Sequence, residues 1–242
     1  MVKPAHELKV KIFADGAEMQ TMIDLAAEPI IKGFTTNPTL MRKAGVTDYV
    51  GFAKSVLGTI KNKPISFEVF SDEFNEMERQ ARIINSWAEN VYVKIPITNT
   101  RGESSGELIK KLSSQGIKLN VTAILTLPQV EIVSRVLNPK TPAIISVFAG
   151  RIADTGVDPM PIMKKAKEII LPYPKFELLW ASSRELLNIY QAEEIGADII
   201  TVTSEILKKT GMVNYDHREL SIETVRMFYE DGQKVGYTLY ES

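Results

Sequence analysis

The chain has 242 residues, enough for one large domain or two small ones, and carries 29 Lys and Arg against 30 Asp and Glu for a formal charge of −1. That balance argues against a nucleic-acid partner, which calls for clustered, uncompensated basic charge. Hydrophobic and charged fractions of 44% and 24% argue against disorder. The absence of cysteine, with only His6 and His217, excludes disulfides, thiol catalysis and Cys-based zinc sites and leaves little for a His-ligated metal or a Ser-His-Asp triad.

No apolar run reaches the length of a membrane span, and Met1–Glu7 lacks the apolar region of a signal peptide. The expectation is a cytoplasmic protein with no membrane partner.

Strand-like and helix-like runs alternate. Leu8–Asp15 and Gly33–Asn37 read as the first two strands, with Asn37-Pro38 as a loop entry. The helix Thr47–Ile60 leads to a third strand, Pro64–Phe70. Helix Asp72–Glu89 puts Glu73, Glu76, Glu78, Arg79 and Arg82 on a solvated face. Then come strand Val91–Ile97, helix Gly102–Gln115, strand Lys118–Leu125, helix Leu127–Leu137 and strand Ala143–Gly150. Helix Pro161–Leu171, strand Phe176–Ser182, helix Ser183–Ile195 and strand Ala197–Thr203 complete the alternation. Asn120-Val121-Thr122 matches a glycosylation sequon and is read as a chance match inside a strand. Ser204–Lys209 and Leu220–Lys234 read as closing helices. The aromatic tail of Phe228, Tyr229, Tyr237 and Tyr240 suits either a neighbouring subunit or the chain's own barrel.

Such alternation means parallel strands joined by crossover helices, and eight units in this length is the size of a (β/α)8 TIM barrel. The α/β barrel is expected as one domain over 1–242, with 204–242 as a C-terminal helical extension. An open doubly wound sheet is disfavoured, because Ala14-Asp15-Gly16-Ala17 holds one glycine where a phosphate turn needs several.

Side-chain parity sharpens the barrel. Val91, Val93, Ile95 and Ile97 form one apolar layer, as do Ile65, Phe67 and Val69, or Leu119, Val121 and Ala123. Ile12 and Ala14, Ile145 and Val147, and Ile200 and Val202 repeat the pattern. The opposite parity carries Phe13, Asp15, Ser66, Glu68, Phe70, Tyr92, Lys94, Pro96, Asn120, Thr122, Ser146, Phe148, Thr201 and Thr203, toward the C-terminal ends where active sites of this fold lie.

Lys94 in mid-strand on the lumen side is the first chemical candidate. Desolvation disfavours its ammonium form, and a neutral amine attacks a carbonyl to give a Schiff base. The alternative is an ion pair with Glu68 or Asp15 that only fills the barrel. Asp15 and Glu68 would divide the proton transfers of such chemistry or merely compensate charge. Thr122 and Asn120 would hold a water and substrate hydroxyls, or serve as structural hydrogen-bonders. Arg151, Ser182 and Arg184 suit a tetrahedral anion, since arginine offers a bidentate fork, though surface arginines are common.

Five motifs in this order resemble the transaldolase family, short members in particular. They are Gly33-Phe34-Thr35-Thr36-Asn37-Pro38-Thr39-Leu40, Val93-Lys94-Ile95-Pro96-Ile97-Thr98, Leu119-Asn120-Val121-Thr122-Ala123-Ile124-Leu125, Ser146-Val147-Phe148-Ala149-Gly150-Arg151-Ile152 and Ala181-Ser182-Ser183-Arg184. The resemblance runs from about Lys11 to Thr203. It implies a barrel that moves a dihydroxyacetone unit from a ketose phosphate, sedoheptulose 7-phosphate or fructose 6-phosphate, to an aldose phosphate without metal or cofactor, in the pentose phosphate pathway. Carried over, Lys94 is the Schiff-base lysine, Asp15 the proton-transfer partner, and Glu68 with Thr122 the holders of a catalytic water. Asn37, Asn120 and Ser146 contact the three-carbon unit, Phe148 lines the pocket, and Arg151, Ser182 and Arg184 receive the phosphate.

Fructose-6-phosphate aldolases of the same family release free dihydroxyacetone and are expected to have Gln and Tyr where this chain has Glu68 and Phe148, so the resemblance favours transfer. Two departures stand out. Gly16 follows Asp15 where the family usually has Thr or Ser, and Trp180 replaces a small residue; an indole facing the lumen would reshape the acceptor or anion pocket, which leaves open a sugar with another terminal anion, such as a sulfonate. The non-enzyme alternative, a sugar-phosphate-binding barrel without turnover, would be expected to have lost the lysine or both carboxylates, and neither is lost. The resemblance also implies a homo-oligomer, a pentamer or decamer, built through C-terminal helices.

Overall fold

The structure, a computed structural model, describes residues 2–240. Eight parallel strands close into a barrel in chain order: β1 (Lys11–Asp15), β2 (Ile31–Thr35), β3 (Ile65–Glu68), β4 (Val91–Pro96), β5 (Leu119–Ile124), β6 (Ala143–Val147), β7 (Phe176–Trp180) and β8 (Ile199–Thr203), which pairs back onto β1. The (β/α)8 class expected from the alternation is the one observed.

Around the strands run α1 (Met19–Ala27), α2 (Pro38–Lys43), α3 (Tyr49–Thr59), α4 (Phe74–Asn85), α5 (Gly106–Ser114), α6 (Leu127–Val136), α7 (Ala149–Ala153), α8 (Met160–Ile170), α9 (Leu187–Glu194), α10 (Ser204–Lys208) and α11 (His217–Val235). Three of these escape the sequence reading, the third being α7, which begins inside the strand expected over Ala143–Gly150. Only Met22 of α1 is buried, so its periodicity is weak, and its start is capped by Glu18 rather than by a short polar residue. The second, α2, is six residues long, too short for a helical period. Yet its start has a recognisable form: the Asn37 side chain accepts from the Leu40 amide and Pro38 occupies the first turn. Asn37-Pro38 is therefore a helix entry rather than a plain loop.

Parity sorts the strands as expected. Ile12, Ile65, Phe67, Val93, Ile95, Val121, Ile145, Val147, Ile200 and Val202 pack outward against the helices, while Phe13, Ile144, Leu179, Ala181 and Ile199 form a separate apolar cluster inside the lumen. Each fully buried aliphatic side chain in the outer layer stabilises the fold by about 1.5–3 kcal/mol. At Gly33 an added Cβ would lie 2.5 Å from the Phe13 ring, so the ring seals the lumen only because β2 carries no side chain there.

Four features correct the sequence reading. The indole of Trp180 is fully buried in the outer, helix-facing layer with Phe176 and Leu178, not in the lumen. Strand parity requires this, since Leu179 and Ala181 take the inner face. Ala123 lies not in the outer layer but on the inner cavity, because β5 shifts register between Val121 and Ile124, with Ala123 at φ +61°, and Ile124 takes over the outer position. Phe70 is 62% exposed on the rim beside Tyr49 rather than inside the lumen. The sixth strand stops at Val147, since Phe148 is the N-cap of α7.

Candidate active site

A cavity of about 530 Å3 opens at the C-terminal ends of the strands. It is lined by Asp15, Asn37, Glu68, Lys94, Asn120, Thr122, Ser146, Phe148, Arg151, Ser182 and Arg184, so every site residue singled out from the sequence reaches one place. Thr35, Lys43, Ala123, Leu179 and Thr201 also contribute to its wall.

Lys94 lies at the centre, only 6% exposed. Strand register sets Glu68 on β3 and Asn120 on β5 beside it. Its Nζ lies 3.2 Å from Glu68 Oε2 and donates to the Thr36 carbonyl, also at 3.2 Å. Glu68 is held in turn where Tyr49 donates its hydroxyl to the Glu68 carbonyl at 2.8 Å. Burial raises the Tyr49 phenol above its ordinary value, with the Glu68 charge adding to the effect.

Asp15, at the end of β1, accepts from Thr35 Oγ1 at 2.7 Å. Burial raises its carboxyl above the ordinary range, against the Lys94 charge and the Thr35 hydrogen bond, which pull it down. An added Cβ at the neighbouring Gly16 would meet nothing within 4 Å.

Toward β5 and β6, Ser146 donates to Asn120 Oδ1 at 2.6 Å, and Asn120 Nδ2 donates to Ser66 Oγ at 3.0 Å. Asn120 is fully buried, which confirms that its sequon is a chance match. Thr122 Oγ1 is buried without a hydrogen-bond partner among the described residues. An unpaired buried hydroxyl costs about 1–3 kcal/mol, and facing a polar cavity it suits a ligand or water oxygen.

The cationic side of the mouth follows β6 and β7. Gly150 passes so close to the Ser182 carbonyl that an added Cβ would lie 1.6 Å from it, and Ser182 adopts φ +63°. This glycine lets α7 and the chain after β7 form one wall. Arg184 donates through Nη1 to Ser182 O and Oγ at 2.9 and 3.0 Å, and through Nε and Nη2 to Asp154 at 2.9 and 2.5 Å. The Arg184 hydrogen bond is the main cause holding the Asp154 carboxyl below its ordinary value. Arg151 instead stacks over the Phe148 ring at 5.8 Å.

Asp154 and Thr201 are the main members missed by the sequence reading. Asp154 stands three residues beyond Arg151, a spacing that puts both on one helical face, and Thr201 has lumen parity.

A family model described as transaldolase/fructose-6-phosphate aldolase matches residues 12–239. Among curated proteins, the chain is 31% identical to a "Probable transaldolase" of Bdellovibrio bacteriovorus, over 93% of this chain and 98% of the other. It is 33% identical to a "Probable transaldolase" of a Thermoanaerobacter species, covering 94% and 99% of the two. With a "Probable transaldolase 2" of Listeria monocytogenes the identity is 34%, over 83% and 88%. Among the described residues, no helix is long and apolar enough to cross a membrane.

Proposed function

Because the chain belongs to the transaldolase/fructose-6-phosphate aldolase family, we propose that it is a Schiff-base transaldolase that carries a dihydroxyacetone unit from a ketose phosphate to an aldose phosphate. The observation that carries this reading is Lys94 Nζ, buried 3.2 Å from Glu68 in a cavity that Asp15 also lines.

In the proposed sequence Lys94 passes a proton to Glu68 and attacks the ketose carbonyl as the neutral amine. Glu68 returns that proton to the carbinolamine hydroxyl, which leaves as water as an iminium forms. Glu68 and the free hydroxyl of Thr122 hold the water that shuttles this proton. Asp15 takes the proton of the hydroxyl on the far carbon of the bond that breaks. The electrons of that C–C bond pass into the iminium, an aldehyde departs, and an enamine remains on Lys94. An aldose acceptor then reverses these steps. Asn37, Asn120 and Ser146 hold the three-carbon unit, and Arg151, Ser182 and Arg184 receive the terminal phosphate. Phe148 supports transfer over release, since a phenyl ring supplies no proton to the enamine.

We assign α11 to contacts with further copies of this chain. It has no buried residue, and Val225, Phe228 and Tyr229 are 64–67% exposed.

The test is to incubate the protein with fructose 6-phosphate and borohydride and locate the added mass by peptide mapping. Labelling at Lys94 is expected, and a protein labelled elsewhere or not at all is not a Schiff-base enzyme of this kind. Product analysis with and without erythrose 4-phosphate then separates transfer from release of free dihydroxyacetone.

A further inference from the structure

Asp15 is flanked in the barrel by β2 and β8, and each sends one threonine hydroxyl beneath it. Thr35 Oγ1 lies 2.7 Å from Asp15 Oδ1, and Thr201 Oγ1 lies 2.5 Å from Thr35 Oγ1. Both threonines are buried, and Thr201 also lines the cavity.

A threonine hydroxyl has a single proton, whereas an ionised carboxylate only accepts. With Asp15 ionised, Thr35 must spend its proton on Oδ1, so it accepts from Thr201. With a proton on Asp15 Oδ1, the same oxygens stay bonded only if both hydroxyls turn. Asp15 then donates to Thr35 and Thr35 to Thr201, and the proton of Thr201 is turned toward the cavity.

We propose that Thr35 and Thr201 are positioning residues, a two-hydroxyl relay that reverses direction as Asp15 gains and loses its proton. The carboxyl keeps a partner on Oδ1 in both states, so the group that carries the substrate proton is held at one place through the cycle. No O–H bond within the relay breaks; only the rotors turn, and the one covalent proton transfer is between the substrate hydroxyl and Asp15. This inference rests on the role proposed above for Asp15.

The charged groups of this cavity are Lys94 on β4 and Glu68 on β3, with Lys43, Arg151 and Arg184 at the mouth. The flanking strands β2 and β8 contribute only hydroxyls, from Thr35 and Thr201, to its polar lining. Removing the Thr35 hydroxyl therefore strips a hydrogen bond from ionised Asp15 while leaving every charge in place, and it favours the protonated carboxyl.

The experiment compares kcat against pH for the wild type, Thr35→Val, Thr201→Val and Thr35→Ser, with ketose donor and aldose acceptor at saturation. Since Asp15 acts as a base in its ionised form, the acid limb of Thr35→Val should move to higher pH. Roughly tenfold loss of kcat is expected at the acid end, as for one charged hydrogen bond, narrowing as pH rises. Thr201→Val should move the limb the same way by less, and it carries the test alone if Thr35→Val does not fold. Thr35→Ser, which keeps the hydroxyl, should restore the wild-type limb.

An unmoved limb in the valine variants, or a loss uniform across pH that serine does not rescue, overturns the relay. Borohydride trapping at Lys94 is run on the same proteins to tell the two readings apart. A wild type that traps at Lys94 while the limb stays put defeats the relay alone. A wild type that does not trap defeats the proposed function and the relay with it.

Discussion

Asp154 holds Arg184 by two bonds, to Nε at 2.9 Å and to Nη2 at 2.5 Å. With Nη1 already given to Ser182, most of the guanidinium donors are spent within the protein, whereas no protein carboxylate pairs with Arg151 among the described residues. The two cations on this side of the cavity mouth are thus unequal. Arg184 ties α7 to the chain after β7, and Arg151 keeps its guanidinium donors unspent on protein carboxylates, over the Phe148 ring.

The first prediction follows from that inequality. Arg151→Ala should raise KM for a phosphorylated ketose by about 10- to 100-fold, the worth of a charge-assisted hydrogen bond, with kcat little changed. Arg184→Ala should raise it less. Neither should affect KM for free dihydroxyacetone, which carries no anion. Steady-state kinetics with both donors decide the matter, and a larger effect from Arg184 would reverse the assignment.

Asp15→Asn should abolish turnover yet stabilise the fold at neutral pH. Burial raises the Asp15 carboxyl in the folded state, so ionising it costs stability. That cost is absent below the ordinary carboxylate range, grows as pH rises toward the raised folded value, and is fully present above it. The amide removes the cost while still accepting from Thr35. Thermal melts should show a higher Tm for the variant at pH 8, with about 2–4 °C for each kcal/mol at this chain length, and the gain should vanish near pH 3. An equal gain at both pH values would mean another cause.

Trp180→Phe should leave substrate kinetics unchanged, because the indole faces the helices. Its Nε1 is buried with no partner among the described residues, so losing the N–H offsets much of the lost packing. A net change within about 1.5 kcal/mol is expected from denaturant unfolding. A shifted KM for anionic substrates would place this side chain back at the pocket.

Gly150→Ala should be among the most damaging single substitutions. Its new methyl would fall 1.6 Å from a backbone carbonyl that cannot move without carrying Ser182 and Arg184 with it. A loss of about 4 kcal/mol or more is expected, with anion affinity falling alongside. A variant with wild-type Tm and KM would contradict the close approach.

The sequence by itself determined the barrel and the polar residues that line its cavity. Alternation of strand and helix is a local property, and once strands are parallel their period of two assigns each side chain a face. Lys94, Glu68, Asp15, Asn120 and Ser146 needed only that parity to be gathered in one cavity. Trp180 could have been placed by the same rule, since it has the parity of Phe176 and Leu178; its chemistry drew attention where its position did not. Ala123 lay beyond local reading, because a register shift between β5 and β6 exists only when the two strands are paired. The same holds for the Arg184 bond to Asp154 across 30 residues and for the Thr35–Thr201 contact across 166. Hydrogen-bond direction, ion pairing and burial depend on distances between segments remote in the chain, and only the closed barrel sets those distances.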